Sequence, residues 1–181
     1  MRELSKVTGE TVHLSTYDRD HVVYLEQVET PNPVRAYSLV GGVGPAHCTA
    51  TGKAMLAFLP AEVTENIARN LTRYTDTAIT SKSELFREIA KAREAGFAVS
   101  HEDWREGVSG LAAPIFSSDG QVVAAVGISG PVERLGEKAL RKFGPLVRGV
   151  ANRISAELGH NVERSDNHRG TGIALDKRRQ A

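Results

Sequence analysis

The 181-residue chain has one cysteine, few aromatic residues, no long apolar run and no surplus of either charge. A lone Cys48 excludes an intrachain disulfide and suits a reducing compartment. No apolar stretch approaches the roughly 18 residues that cross a membrane as a helix. The start, Met1-Arg2-Glu3-Leu4-Ser5-Lys6, is polar and lacks the apolar segment of a signal peptide. These absences favour a cytoplasmic location. A domain that neutralises several phosphates shows a basic excess on one face. Residues 1–159 hold 18 Lys and Arg against 19 Asp and Glu, so direct nucleic-acid binding by this part is disfavoured.

What is present is ordinary for a globular protein: 40% hydrophobic and 25% charged residues, in a length that suits one core. Residues 1–8 read as the last turns of a helix stopped by Gly9. Val12, Leu14 and Thr16 alternate with His13, Ser15 and Tyr17, which predicts a half-buried strand, and a second follows from His21 to Val28. A third is expected over Val34–Val40, broken by the run Gly41 to Pro45. Thr49–Leu59 reads as a helix apolar nearly all round and therefore buried. Pro60 and Glu62 open another, and Ser81 with Glu84 has capping-box spacing ahead of the stripe Leu85, Ile89, Ala92 and the stop Gly96. A further strand starts at Phe97 and Val99. Leu140, Phe143, Val147, Val150, Ile154 and Leu158 mark a last amphipathic helix that Gly144-Pro145 either kinks or restarts, and Gly159 caps it. The domain is thus expected to span 1–159, with 160–181 a flexible tail. Short connections between neighbouring strands favour an α+β layout, a mostly antiparallel sheet flanked by helices.

The clearest local pattern is a pair of strand-like runs, Ser109–Ser117 and Gln121–Ser129, joined through Asp119-Gly120 as a two-residue hairpin turn. Counting outward puts Ala112 opposite Gly127 and Gly110 opposite Ser129. Directly opposed residues share a face, so these four small residues form one patch, while Leu111, Ala113, Ile115, Ala124, Val126 and Ile128 face a core. The patch reads either as a close approach by a helix or as the floor of a small-molecule pocket. The helix start at Cys48–Lys53 offers unpaired N–H groups, which suit an anion, or is simply capped by Cys48 or Thr49.

Several motifs fail. Gly52-Lys53 lacks the P-loop's first glycine, because His47 stands there, and Ala54 replaces the hydroxyl residue. Gly42-Val43-Gly44 lacks the third glycine of a dinucleotide loop, again at His47. A Cys48 nucleophile would need a base from elsewhere, since the adjacent His47 cannot easily reach its thiol. His101-Glu102-Asp103 has no partner cluster at metal-site spacing. Trp104 reads as an interface anchor or a pocket lid. No cofactor is called for, and a small thiol enzyme or a ligand-free dimerisation module stand as alternatives to a sensor.

The strings Gly44 to Ala54, Gly96-Phe97-Ala98-Val99, Glu102-Asp103 with Gly107, Ala112-Ala113-Pro114-Ile115-Phe116, Val123-Ala124-Ala125 and Ile128-Ser129-Gly130-Pro131 with Arg134 resemble, in order and spacing, the effector domain of IclR-type bacterial transcription regulators. The resemblance runs from about Arg2 to Gly159. It implies a GAF-like α+β domain that senses a small, often carboxylated metabolite. It also implies dimers or tetramers, and DNA contact only through an N-terminal winged helix-turn-helix that this chain does not contain. By position, the implied effector contacts are Ala50, Thr51 and Gly52 at the helix start and Ser100, Gly110, Gly127 and Ser129 on the sheet, with Ala112 beside them in the small-residue patch. Ser100, Gly110 and Gly127 stand where small-acid binders can have an acid, a thiol and a hydroxyl, which allows a larger ligand such as an aromatic acid.

Overall fold

Gly9 and Gly96 end helices where the sequence predicts, each at a positive φ, 72° and 74°, with its N–H donating back to the carbonyl of Ser5 or Ala92. In the computed structural model, which describes residues 1–161, the elements are α1 (Arg2–Thr8), β1 (Thr11–Asp18), β2 (His21–Val28), β3 (Val43–Pro45), α2 (Ala50–Leu56), α3 (Ala61–Ile67), α4 (Lys82–Ala95), β4 (Ala98–His101), β5 (Val108–Phe116), β6 (Val122–Pro131) and α5 (Glu137–Glu157). The strands form one six-stranded sheet in the order β3-β2-β1-β6-β5-β4, with every neighbouring pair antiparallel. The expected α+β layout is what the chain adopts.

The sheet is covered on both faces. On one, Leu111, Ala113, Ile115, Val126 and Ile128 pack with Val147, Val150 and Ala151 of α5 and Leu4 of α1. On the other, Ala112 and Ala125 pack with α2 and with Leu85, Ile89 and Ala92 of α4. The Ser81 side chain caps α4 by accepting from the Glu84 N–H. α5 runs unbroken through Pro145, so the helix does not restart there. Gly144 leaves room for Phe97, whose Cζ would lie 2.6 Å from a Cβ at that position.

Four expectations need correction. Val34–Val40 is not a strand, and the pairing to β2 is made by Val43–Pro45, within the run expected to break it. Two carbonyls of this segment are taken by side chains, Arg105 donating to the Tyr37 oxygen at 2.6 Å and Arg134 to the Val34 oxygen at 2.9 Å, and that of Leu39 accepts from Gly42 N–H. Gly41, at φ 81°, donates to the Tyr24 carbonyl and turns the chain back to the sheet edge. Second, α2 is shorter than its apolar run and ends at Leu56, with all seven residues buried. Third, β1 is buried on both faces: Val12 enters the α5-side core, while Thr11, His13 and Ser15 are buried on the α2 side. Polar alternation there marks a second interior face, not solvent.

The fourth concerns the hairpin turn. Gly120 N–H donates to the Ser117 carbonyl, and Ser117 N–H to that of Gln121, so the loop holds three residues, with Gly120 at φ 79°. Such a loop shifts the pairing by one, to Phe116↔Val122. An irregularity between Ile115 and Phe116 shifts it back, giving Ala112↔Gly127 and Gly110↔Ser129 as expected. The register at the patch is right although the turn is not.

Beyond Gly159 (φ 83°), His160 stacks on Phe116 with ring centroids 5.1 Å apart. From residue 162 the expected tail lies outside the described residues.

Lys53 of α2 and Asp103 of the β4–β5 loop form an ion pair with side chains 3% and 8% exposed. Removing one partner strands a buried charge, which costs about 3–5 kcal/mol. Lys53→Met should therefore lower urea-measured stability by that order, and adding Asp103→Asn should recover part of the loss.

Candidate functional site

The chain reaches α2 through a tight turn at Pro45–Thr49. The carbonyl of Pro45 accepts from the N–H groups of Cys48 and Thr49, and the Thr49 hydroxyl caps the helix by accepting from Gly52 N–H at 3.2 Å. Gly52 is required by packing: a Cβ there would stand 2.2 Å from the Ala46 carbonyl oxygen. The structural reading of the helix start therefore holds for Thr49 and Gly52, while Ala50 and Thr51 open the first turn toward the sheet.

Between this turn, β1, β5, β6 and the segments 36–38 and 100–105 lies a cleft of about 520 Å³, its mouth included. Six of the eight residues singled out from sequence line it: Ala50, Thr51, Ser100, Gly110, Gly127 and Ser129. Gly52 does not, being turned against Ala46, nor does Ala112, which is fully buried beneath. The small patch is partly a packing device: a Cβ at Gly127 would stand 2.7 Å from that of Ala112, and one at Gly110 would stand 3.5 Å from that of Ala50. The open volume lies to the side of it, toward His13, Tyr24, Tyr37 and Trp104. Ser100 donates its hydroxyl to the Cys48 carbonyl at 2.7 Å and so braces the wall.

Trp104 forms the lip. It packs beside Gly44, where a Cβ would be 3.2 Å from the indole, and carries the Arg105 guanidinium over its face at 4.1 Å. Its loop is braced throughout. Glu102, at φ 59°, accepts from Gly107 N–H at 2.6 Å, Asp103 Oδ1 accepts from His101 N–H, and Thr75 donates to the Glu102 carbonyl at 2.7 Å. The His101-Glu102-Asp103 run is engaged otherwise: Asp103 is held by Lys53, and His101 Nδ1 lies 3.1 Å from Ser109 Oγ.

Sequence reasoning missed His13, Tyr24, Tyr37, Ser38 and Arg105 as lining residues. Only the pairing of β1 with β6, His13 beside Gly127, brings the first to the cleft, and no local pattern announces a pairing so distant in sequence. His13 Nε2 lies 2.5 Å from Ser129 Oγ, while Nδ1 is buried without a partner; Thr51 Oγ1 is unpartnered too. Each such atom costs about 1–3 kcal/mol unless a bound group satisfies it. Burial pushes the His13 pKa down to about 4. Burial likewise pushes the Cys48 thiol up to about 12, with the Asp103 carboxylate adding to the effect. A thiol so hard to ionise is a poor nucleophile.

The comparisons with known proteins agree with this geometry. Residues 1–156 match the family described as "Bacterial transcriptional regulator IclR C-terminal". The chain is 34% identical over 163 residues to the HTH-type transcriptional regulator KdgR of Escherichia coli (strain K12), covering 89% of this chain and 62% of that protein. The crystal structure of the Thermotoga maritima IclR superposes with a TM-score of 0.83 at 33% identity, covering 88% of this chain and 65% of that one. The inducer-binding domain of PobR from Acinetobacter, solved as a double mutant in complex with 3-hydroxybenzoic acid, gives 0.77 at 28% identity over 84% of this chain and 91% of that one. The fold and the match define an effector-binding domain of a transcription regulator. The chain belongs to the IclR family and corresponds to its C-terminal part, spanning about 62% of the length of KdgR. These relatives are regulators, not enzymes.

The His13 shift has a thermodynamic consequence. Its folded pKa, about 4, lies below the ordinary imidazole value of 6.5, so between the two the unfolded chain binds the proton and the folded chain does not. Stability is fully present above about pH 6.5, falls by about 3 kcal/mol as pH drops to about 4, and is flat in this respect below that. Chemical denaturation across this range should show the loss, with His13→Gln flattening it.

Proposed function

We propose that the cleft takes a small carboxylate, aromatic acids included, and that its occupancy alters DNA binding by the full regulator through a winged helix-turn-helix preceding this domain, in the cytoplasm. The observation that carries this reading is the chemistry of the lining. Among the described residues no Asp or Glu lines the cleft, Arg105 is its one permanent cation, and the hydroxyl of Thr51 and the Nδ1 of His13 are buried without protein partners. An anion meets no repulsion there and finds donors. The chain of the PobR inducer-binding domain, similar over most of its length, was solved with an aromatic acid, which supports the same ligand class. Binding that favours one conformation would bias the regulator toward or away from its operator.

The reading includes self-association as a dimer or tetramer. Val34, Tyr37, Leu39, Val40 and Val43 are each more than half exposed on one segment leading to edge strand β3, an apolar stretch of the kind that marks an interaction surface. Leu39→Glu with Val40→Glu should lower the molecular mass seen by sedimentation. An unchanged mass would remove this segment from the interface.

The ligand test is thermal stability against benzoate, 3-hydroxybenzoate and pyruvate. A ligand at about 100 times its dissociation constant should add roughly 2.7 kcal/mol. Ser129→Leu, which fills the cleft beside His13, should abolish the gain. A gain that survives this substitution would place the ligand elsewhere.

A further inference from the structure

β1 turns three buried polar side chains, Thr11, His13 and Ser15, toward the α2 side of the sheet. Of the three only His13 lines the cleft. Its ring is 5.2 Å from that of Tyr24 and tilted by 59°, which together with Ser129 Oγ at 2.5 Å from Nε2 leaves one nitrogen anchored and the other, Nδ1, buried and unpartnered. In a neutral imidazole, one nitrogen donates and the other accepts. The anchor on Ser129 is compatible with either tautomer, so the open nitrogen is equally able to present a lone pair or an N–H.

The groups around it decide which form a ligand would select. From β2 it meets Tyr24, whose phenol burial holds in the un-ionised form, and its register partner Gln27. From β6 come Gly127 and Ser129. The turn into α2 supplies Thr51 and the un-ionised thiol of Cys48. The 36–38 segment supplies Tyr37 and Ser38, and the β4–β5 loop supplies Trp104 and Arg105. None is a carboxylate. The buried acids of the surrounding elements are engaged elsewhere, Glu10 by a two-pronged pair with Arg134 at 2.6 and 2.8 Å and Asp103 by Lys53. Among the described residues the cleft lining therefore offers no counter-charge for an imidazolium, and a carboxylate ligand would bring one.

Resting on the reading of this cleft as the effector site, we propose that His13 is a proton-linked recognition residue: when a carboxylate-bearing ligand seats, the imidazole takes one proton from solvent, Nδ1–H donates to the carboxylate and Nε2–H donates to Ser129 Oγ. Both nitrogens then donate and both find acceptors, and Ser129 acts as the positioning residue that holds the ring. Arg105 adds attraction for the anion. The bound imidazole has a higher pKa than the free one, which burial without a counter-charge keeps low. Affinity for a carboxylate consequently rises as pH falls between those two values, by up to about tenfold per pH unit, and levels off outside them. An uncharged isostere gains nothing.

The test is titration calorimetry of the domain with 3-hydroxybenzoate and 3-hydroxybenzamide near pH 5.5, 6.5 and 7.5, in buffers of different ionisation enthalpy. Wild type should take up about one proton per bound acid at the lower pH values, and bind the acid more tightly there. His13→Gln, which keeps a polar group beside Ser129 but cannot titrate, should bind with no uptake and a flat profile. The amide should show no uptake with either protein. Should His13→Gln fail to fold, imidazole ¹⁵N shifts of wild type give the answer directly, moving from neutral to protonated values on adding the acid. Binding without uptake, or uptake that persists in His13→Gln, overturns the inference and leaves the cleft reading intact. If 3-hydroxybenzoate and pyruvate both fail to bind, the ligand class falls and the inference falls with it.

Discussion

A lysine ammonium inside a protein must have a counter-charge, and Lys53 has one in Asp103. Much of the cleft depends on that pair. Lys53 sits in a helix whose seven residues are all buried, so the helix cannot tilt to bring its ammonium to water. The acid has to come to it, and the β4–β5 loop is bent accordingly: Glu102 accepts a positive φ, Gly107 another, and Thr75 and Glu102 fasten the bend by hydrogen bonds. The two residues after Asp103 are Trp104 and Arg105, both lining the cleft. The charge pair thus ties the helix on one side of the cleft to the lip on the other. A buried pair of this kind adds little net stability compared with apolar replacements, but it specifies one arrangement. Here that arrangement sets where the indole and the guanidinium stand.

The small residues divide into two groups that look alike in sequence. Gly52 with Ala46 and Gly127 with Ala112 are close approaches, in which an added methyl would clash with a neighbour's backbone or side chain, whereas one at Gly110 would make ordinary contact with Ala50. The first tightens the turn into α2, the second lies within the hairpin, and only the third spans α2 and the hairpin. The space beside the helix start is bounded by Gly110, Gly127 and Ser129 of the patch and by larger side chains, His13, Tyr24, Tyr37 and Trp104. The two readings open from sequence, helix contact and pocket floor, apply to adjacent parts of one surface. Gly130 and Arg134 follow the same logic: the Glu10 carboxylate occupies the place of a Gly130 side chain, and Arg134 grips it with two nitrogens.

How far the site was legible follows from how local each determinant is. The hairpin register at Gly110 and Gly127 could be counted from Asp119-Gly120, although the loop has three residues rather than two, because the irregularity at Ile115 cancels the shift. Six of the lining residues were accessible by that counting and by resemblance to the IclR family. His13 was not, because its place depends on β1 pairing with β6 across more than a hundred residues. Nor was the path of Val34–Val40. Its β-branched and aromatic residues favour a strand wherever a neighbour offers hydrogen bonds, but arginines 68 and 100 residues further along take two of its carbonyls. The buried polar face of β1 was misread for a related reason: alternation marks two faces, and only the sheet's position between two helical layers makes both of them interior.

The same two arginines suggest how an occupied cleft would be felt at the surface. Arg105 donates to the Tyr37 carbonyl while stacking on Trp104, and Tyr37 belongs to the exposed apolar segment beside edge strand β3. A neutral carbonyl is a weaker acceptor for a guanidinium than a carboxylate is. On the proposed reading, a ligand anion near the lip would therefore compete with Tyr37 for Arg105. If the anion prevails, the segment loses its central tether and keeps the outer ones, at Val34 through Arg134 and at Gly41 through Tyr24. The ligand would then shift the segment only by the difference between the two hydrogen bonds, which bounds the effect to a modest change in population. A modest change matters where the segment is shared with another subunit, because the same small bias then acts on each copy at once. The physical route from ligand charge to assembly is in this view a contest between two acceptors for one guanidinium, held at the cleft mouth by the loop that Lys53 and Asp103 pin in place.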